Sequence, residues 1–446
     1  MPNIVSLGAE HGVTGSCHLL RTKGLNILVD CGIAQGGDRV SPIDSWPVSP
    51  SDIDFLFITH GHVDHIGRMP ELVRSGFHGQ IICTHPTKLL LGPMLEDAMG
   101  LTKIEESDLV KLSEEIDRLS WGFEHDQTFD LKNGVRFRFR RAGHIIGSSF
   151  IYIETQDPPW SVVFSGDIGA RNRPIMPDPD PLDPCNLLIL ESTYGDSLHE
   201  KVSNRVEKLG AVLTGALSDG GKVLIPAFAL GRTQEILYEI DRLYSDRKLQ
   251  ESFPALNAQP KIPVFVDSPL ALQLTKIYSN LSEYWGLEAR RILKGGDHPL
   301  DFKGLYGVRV FHDHVRLLEI PGPAIIIAGS GMCSGGRIVD HLKAGLDDPK
   351  NDIIFVGYQA EGTTGRDILQ FAKKPGGYVS IDGETHHIRA RVHFLPGYSA
   401  HADQKELVEW VQSAPDKPQE IRLVHGDPPA QKALAEKLKA LGYRVA

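Results

Sequence analysis

The chain has few of the features that mark a secreted, membrane or fibrous protein. Five cysteines stand in 446 residues (Cys17, Cys31, Cys83, Cys185, Cys333), odd in number and widely scattered. That pattern excludes a complete disulfide framework and any Cys-x-x-Cys zinc ribbon, and it points to a reducing cytoplasm. No apolar run approaches the roughly 20 residues of a membrane span, so no membrane association is expected. The opening residues, MPNIVSLGAE, carry neither a basic n-region nor a long apolar h-region, which predicts no signal peptide. Positive charge is not in excess either: 47 Lys+Arg stand against 57 Asp+Glu, a formal net of −10. A generic nucleic-acid coat protein is thereby disfavoured, because phosphate binding needs clustered positive charge. A nuclease survives the count, since it needs only a local groove and can carry cationic metals in its site. With 41% apolar and 23% charged residues the composition is that of a globular protein, and the length suggests two or three units.

What the chain does have is patterned histidine. Of its 19 histidines, the densest group is His60-Gly-His62-Val-Asp64-His65, directly after the apolar, β-prone run FLFIT (55–59). Four candidate ligands in six residues at a strand end can be aimed at one place. Neutral imidazoles with a carboxylate suit zinc or a similar divalent ion. His60 and His62 can turn inward together, while Asp64 and His65 start the helix and serve a second ion. The alternative is a polar loop with ordinary hydrogen bonds. Three later residues share the context of a polar ligand type where an apolar strand meets glycine: His144 in AGHIIGSS, Asp167 in FSGDIG and His425 in LVHGD. A carboxylate such as Asp167 can bridge two cations.

The rest of the chain gives organisation. Short strand-like runs separated by Gly turns fill the first fifty residues, and sheet alternates with occasional helices up to about 195. From about 200 four strand–loop–helix units follow: KVLIPAF into LGRTQEILYEIDRLY, PVFVDSP into LALQLTKIY, AIIIAGSGMCSGG into RIVDHLKAGL, and DIIFVGYQAEGTTG into RDILQFAK. Such units imply a parallel α/β sheet. Past about 372 strand patterns return, closed by the helix PAQKALAEKLKALG. One domain interrupted by another is the expected anatomy.

In their order, H-G-H-V-D-H, AGHIIGS and FSGD resemble the metallo-β-lactamase superfamily. ESTYGD (191–196), GYSAHAD (397–403) and LVHGD (423–427) further resemble the β-CASP nucleases of that superfamily. PAFALGRTQEIL (226–237) and GSGMCSGGR (329–337) are similar to the family's inserted domain. The resemblance covers essentially the whole chain and is strongest to the compact bacterial and archaeal ribonucleases related to the cleavage and polyadenylation specificity factor endonuclease. It implies an α/β fold, a metallo-β-lactamase αββα sandwich (1–195 and 373–446) interrupted by an inserted parallel α/β β-CASP domain (196–372).

Carried over residue by residue, the resemblance implies two Zn²⁺ per chain, with Mn²⁺ an alternative. His60, His62 and His144 would hold one ion, Asp64, His65 and His425 the other, and Asp167 would bridge them. His401 would be the general acid, Glu191 its orienting partner, and Asp64 would accept or orient the nucleophile's proton. The implied activity is hydrolysis of single-stranded RNA, as an endonuclease with 5′ exonuclease action left open. His425 itself favours RNA, because the DNA-repair branch typically has valine there. Asp427 departs from the pattern, where Glu more often follows His-Gly. Two other classes remain: a small-molecule hydrolase on the same core, and a scaffold subunit, which would predict lost ligands.

Substrate contacts are expected from Arg232, Arg337 and Arg366, which lie near the starts of three helices, from Ser330 and Gly331 in the Gly loop, and from Ser399. Backbone N–H groups at a helix N-terminus can hold phosphate; equally, the glycines make a tight turn and the arginines are solvated. His312 and His314 read as a surface or hinge feature, and His386 and His387 as poor ligands on an alternating strand. Cys333 reads as a packing residue. The sequence leaves a homodimer open.

Overall fold

The computed structural model describes residues 2–100, 106–199 and 204–446. By contacts the chain divides into residues 1–198 with 401–446, and residues 199–400.

The first unit holds two six-stranded sheets. Asn3–Gly8, Cys17–Thr22 and Leu25–Val29 form an antiparallel meander, extended in parallel by Phe55–Phe57, Gln80–Thr84 and Ser120–Phe123. The second sheet runs Glu420–Val424, Leu187–Glu191, Pro159–Phe164, Ser149–Gln156, Val135–Arg141, Thr128–Asp130. Its first three strands are mutually parallel, and Glu420–Val424, late in the chain, returns to form the sheet's edge beside Leu187–Glu191.

Strand patterning explains the layering. VRFRFRR alternates, with Val135, Phe137 and Phe139 buried and Arg136, Arg138 and Arg140 less so, as a half-buried strand requires. Those inward residues meet Ile27, Val29, Phe55 and Phe57 of the other sheet in a single core. The opposite face of the first sheet packs on helical residues such as Leu72, Leu91 and Leu95. The outer face of the second packs on Leu407, Val411, Leu434 and Leu438. The result is helix, sheet, sheet, helix.

In the second unit a parallel sheet runs Leu305–Gly307, Val264–Asp267, Ala324–Ala328, Lys222–Pro226, Asp352–Phe355, Arg391–Phe394. AIIIA is buried at every position, as a central parallel strand must be. All four expected strand–loop–helix units are present, with helices Arg232–Ser245, Pro269–Asn280, Arg337–Gly345 and Thr364–Phe371.

The return to the first unit comes at 401 rather than 373. Arg391–Phe394 pairs in parallel with Asp352–Phe355 and completes the second unit's sheet, and the hairpin Tyr378–Ile381/Glu384–His387 belongs with it. The strand patterns between 372 and 400 are real, but RVHF pairs into the insert's sheet and the hairpin packs on the insert's core, while Glu420–Val424 pairs in the first unit. Among the described residues no helix is long and apolar enough to cross a membrane.

Candidate metal centre

Every residue of the centre sits in the first unit, and most stand just beyond the carboxyl end of a strand, the usual ligand edge of parallel sheets. His60 and His62 follow Phe55–Phe57, Asp167 follows Pro159–Phe164, Glu191 ends its strand, and His425 follows Glu420–Val424. His144 lies in the turn between Val135–Arg141 and Ser149–Gln156, its backbone N–H donating to Ser148 Oγ at 2.9 Å. Two glycines make room for this convergence. A Cβ at Gly32 would lie 1.5 Å from the Asp64 carbonyl oxygen. Gly166 has φ +52 and faces Thr59, 2.7 Å from where its Cβ would stand.

The donor atoms fall into two groups. His62 Nδ1 lies 3.1 Å from His60 Nε2 and 3.1 Å from His144 Nε2. Asp167 Oδ2 is 3.3 Å from His60 Nε2 and 3.5 Å from His144 Nε2. The other oxygen, Oδ1, is 3.3 Å from His65 Nε2 and 3.1 Å from His425 Nε2. His65 and His425 are 2.9 Å apart through their Nε2 atoms, with Asp64 Oδ2 3.7 Å from His425 Nε2. Two ligands about 2.0–2.1 Å from one tetrahedral ion stand about 3.3 Å apart, so most of these spacings are those of a coordination shell. Asp167 Oδ1 is buried and has no hydrogen-bond donor, a costly state for a carboxylate oxygen unless a cation sits beside it. The donor set therefore fits divalent metal.

Electrostatics agree with that fit. Burial, then the neighbouring His60, pushes His62 down to about 3, and burial first also depresses His60 and His144. Neutral imidazole is the form that ligates. His65 goes the other way: burial opposes its charge, but Asp167, Asp30 and Asp64 hold it well above the ordinary value. Against its own burial, Asp167 is kept ionised by His425, His65 and His60.

His401 stands at the rim. An antiparallel bridge to Gly169 and the Ala402 N–H on the Ile168 carbonyl (2.7 Å) fix its backbone two residues from Asp167. Its Nδ1 is 3.4 and 3.3 Å from the two Glu191 oxygens, and its Nε2 is 3.9 Å from Asp167 Oδ2. Glu191 is fully buried and pinned, accepting from Ile168 N (2.6 Å) and Thr193 Oγ1 (2.6 Å). The imidazole is 20% exposed, enough to meet a substrate. Burial works against its proton, yet Glu191 and Asp167 raise its pKa.

Sequence reasoning missed several supports. Asp30, in VDCG, is buried at φ +60 and its Oδ2 lies 2.7 Å from His65 Nδ1. Thr59 Oγ1 is 3.1 Å from His60 Nδ1, and Arg173 donates to the His144 carbonyl. Asp30 carried the same signal as Asp167, a carboxylate where an apolar strand meets glycine.

The expected substrate residues belong to the second unit. Arg232 is drawn inward onto Glu235, and Arg337 donates to Asp267 Oδ1 (2.7 Å) and to the Val308 and Arg309 carbonyls. Arg366 is exposed. Ser330 N–H donates to Gly335 O, the Gly331 carbonyl accepts from Gln359, and Ser399 is buried.

His314 corrects the surface reading of FHDH. It is 1% exposed, with Nδ1 2.6 Å from Asp267 Oδ2 and Nε2 3.1 Å from Asp340; His341 Nε2 is 2.7 Å from the same Asp267 oxygen. Despite burial, hydrogen bonds from His341, His314 and Arg337 hold Asp267 down to about 2. Spacings of 2.6–2.7 Å are hydrogen bonds, shorter than ligand-to-ligand distances, and Arg337 already balances the carboxylate. This cluster is a charge network rather than an ion site.

Fold and donor set together define a metal-dependent hydrolase. Three family descriptions match the chain: metallo-beta-lactamase superfamily at residues 12–217, Beta-Casp domain at 233–368, and Zn-dependent metallo-hydrolase RNA specificity domain at 385–446. Ribonuclease TTHA0252 of Thermus thermophilus is 37% identical over 443 residues, covering 99% of this chain and 96% of that protein. Transcription termination factor FttA of Methanocaldococcus jannaschii is 32% identical over 94% of this chain and 66% of its own length. Cleavage and polyadenylation specificity factor 73 of Drosophila melanogaster is 31% identical over 95% of this chain and 60% of its own length. A crystal structure titled as a protein of unknown function from Enterococcus faecalis V583 superposes with a TM-score of 0.56 at 13% identity, covering 100% of this chain and 98% of that one, a likeness of fold alone. The chain belongs to the β-CASP ribonucleases of the metallo-β-lactamase superfamily.

Proposed function

We propose that the chain is a two-metal ribonuclease that cuts single-stranded RNA internally. His60, His62, His144 and Asp167 Oδ2 would hold one ion, and Asp64, His65, His425 and Asp167 Oδ1 the other. Zinc is the leading candidate, because the donors are imidazole and carboxylate, with Mn²⁺ accepted by the same set. The observation that carries this reading is Asp167, whose two buried oxygens each face a different pair of histidine nitrogens. When bound, the ions would supply Lewis acidity toward a phosphodiester and a water acidic enough to react at neutral pH.

The chain's own groups do the rest. Asp64 orients the attacking water and accepts its proton. His401 gives the proton at Nε2 to the departing oxygen, while Glu191, fixed by Ile168 N and Thr193 Oγ1, holds Nδ1 and keeps the ring aimed. Arg366 and the loop at Ser330 and Gly331 are the proposed phosphate contacts. With their guanidiniums engaged within the second unit, Arg232 and Arg337 would act by shaping that surface, as would the buried Ser399.

Incubation of metal-loaded protein with linear and circular single-stranded RNA, single-stranded DNA and a thioester tests the reading. Cleavage of both RNAs supports it. Turnover of the thioester without RNA cleavage would return the small-molecule hydrolase, and cutting of linear but not circular RNA would overturn internal cleavage.

A further inference from the structure

A histidine that binds a metal through one ring nitrogen normally donates its other N–H to a fixed acceptor, which sets the tautomer and the ring's orientation. In the candidate centre Asp30 serves His65 Nδ1 in this way and Thr59 serves His60 Nδ1. His425 has no such partner. Its Nε2 faces Asp167, which leaves Nδ1 to carry the proton, and Nδ1 is buried without a hydrogen-bond partner. The ring cannot easily turn to find one. His425 sits at φ +51, with its N–H on the Ala9 carbonyl at 2.7 Å and its own carbonyl accepting from Ser192 N.

Beside it lies a small cavity of about 10 Å³, lined by Ser16, His18, Asp30, Thr59, Ser165 and His425. That volume is at the lower end of what one water needs; Val29, Phe164, Ile189 and Val424 also line it, and the polar groups that can hold a water are those of Ser16, His18, Asp30, Thr59, Ser165 and His425. Ser16 Oγ is 3.4 Å from His18 Nε2 and 3.3 Å from Asp30 Oδ2, and His18 Nδ1 is 3.2 Å from Ser6 Oγ. Burial pushes His18 down to about 4, so its ring is neutral and one of its nitrogens can accept. A polar chain thus runs from Ser6 through His18 and Ser16 to Asp30, and three of its members line the same cavity as His425.

We propose that this cavity binds a single water that accepts the His425 Nδ1 proton and is held by Ser16 and His18, making both positioning residues for the second ion. A bridging water serves nearly as well as a direct partner. The inference rests on the two-ion reading above.

Chelator competition resolves the first and second metal equivalents and tests it without assaying activity. Ser16→Val fills the cavity and removes the hydroxyl, His18→Leu removes the ring nitrogens, and Ser16→Thr keeps a hydroxyl. Loss of about 10–100-fold in affinity for the second equivalent is expected in the first two, with the first equivalent retained and Ser16→Thr close to wild type. Wild-type affinity for both ions in Ser16→Val and His18→Leu overturns the proposal. Should those variants not fold, a high-resolution crystal structure of the metal-loaded wild type decides. Ordered water at His425 Nδ1 supports the inference, and a dry cavity overturns it. One equivalent in the wild type would instead strike the two-ion reading itself.

Discussion

Two histidines near the end of the chain separate the proposed ligand from the proposed acid. His425 Nε2 faces Asp167 Oδ1 at 3.1 Å, whereas His401 presents a partly exposed ring backed by Glu191. His425→Ala is therefore expected to lose metal as well as RNA cleavage. His401→Ala should keep its metal and lose about 10²–10⁴-fold in rate. Most of that loss should vanish on a nitrophenyl phosphodiester, whose leaving group needs no proton; metal analysis beside the two rate measurements checks both halves. Zinc shed by His401→Ala would make it a ligand instead. Legibility at this scale followed chemistry at strand ends. His60, His62, Asp64, His65, His144, Asp167 and His425 stood out because polar ligand types interrupt apolar runs beside glycine. Glu191 and His401 were reached only through family resemblance, and Asp30 escaped because a lone carboxylate after a strand is common. His314 was misjudged because its partner Asp267 lies 47 positions away and only the fold joins them.

At the scale of elements, Asp267 ties the end of strand Val264–Asp267 to helices Phe311–Glu319 and Arg337–Gly345 through His314, His341 and Arg337. Removing it strands buried positive and donor groups, so Asp267→Ala should cost about 3–5 kcal/mol in denaturant unfolding. A loss below 1 kcal/mol would mean the network adds little. Helix Arg232–Ser245 carries the opposite case. Burial, then Asp297, raises the Asp241 carboxyl to about 7 from 3.8. The native state then binds this proton more tightly than the unfolded chain, so stability falls as pH rises from about 4 through about 7. Asp241→Asn should raise Tm strongly at pH 8, less at pH 5, and leave it nearly unchanged near pH 3, below the unfolded carboxyl's own pKa; equal shifts at pH 3 and pH 8 would contradict that. Arg366, exposed near the start of its helix, is the residue whose replacement by Ala should lower the salt slope of RNA binding by roughly one. An unchanged slope would return it to ordinary solvated surface. The helix-bearing units of the insert were readable from their period, but the return at 401 was not. RVHF looks like any short strand, and only its pairing with Asp352–Phe355 shows which sheet it completes.

For the whole molecule, the chain makes one ligand edge from segments far apart in sequence: a loop after residue 59, turns near 144 and 167, and a final strand that closes beside Leu187–Glu191 after 202 residues spent in another unit. That strand delivers His425, so the site proposed for the second ion is complete only when the chain has returned. The central claim is that two ions share Asp167, and metal stoichiometry tests it most directly. Elemental analysis of purified protein at saturating zinc should give close to two equivalents per chain in the wild type and a loss from both sites in Asp167→Ala. A reproducible single equivalent in the wild type, or an Asp167→Ala protein that still holds two, would contradict the account.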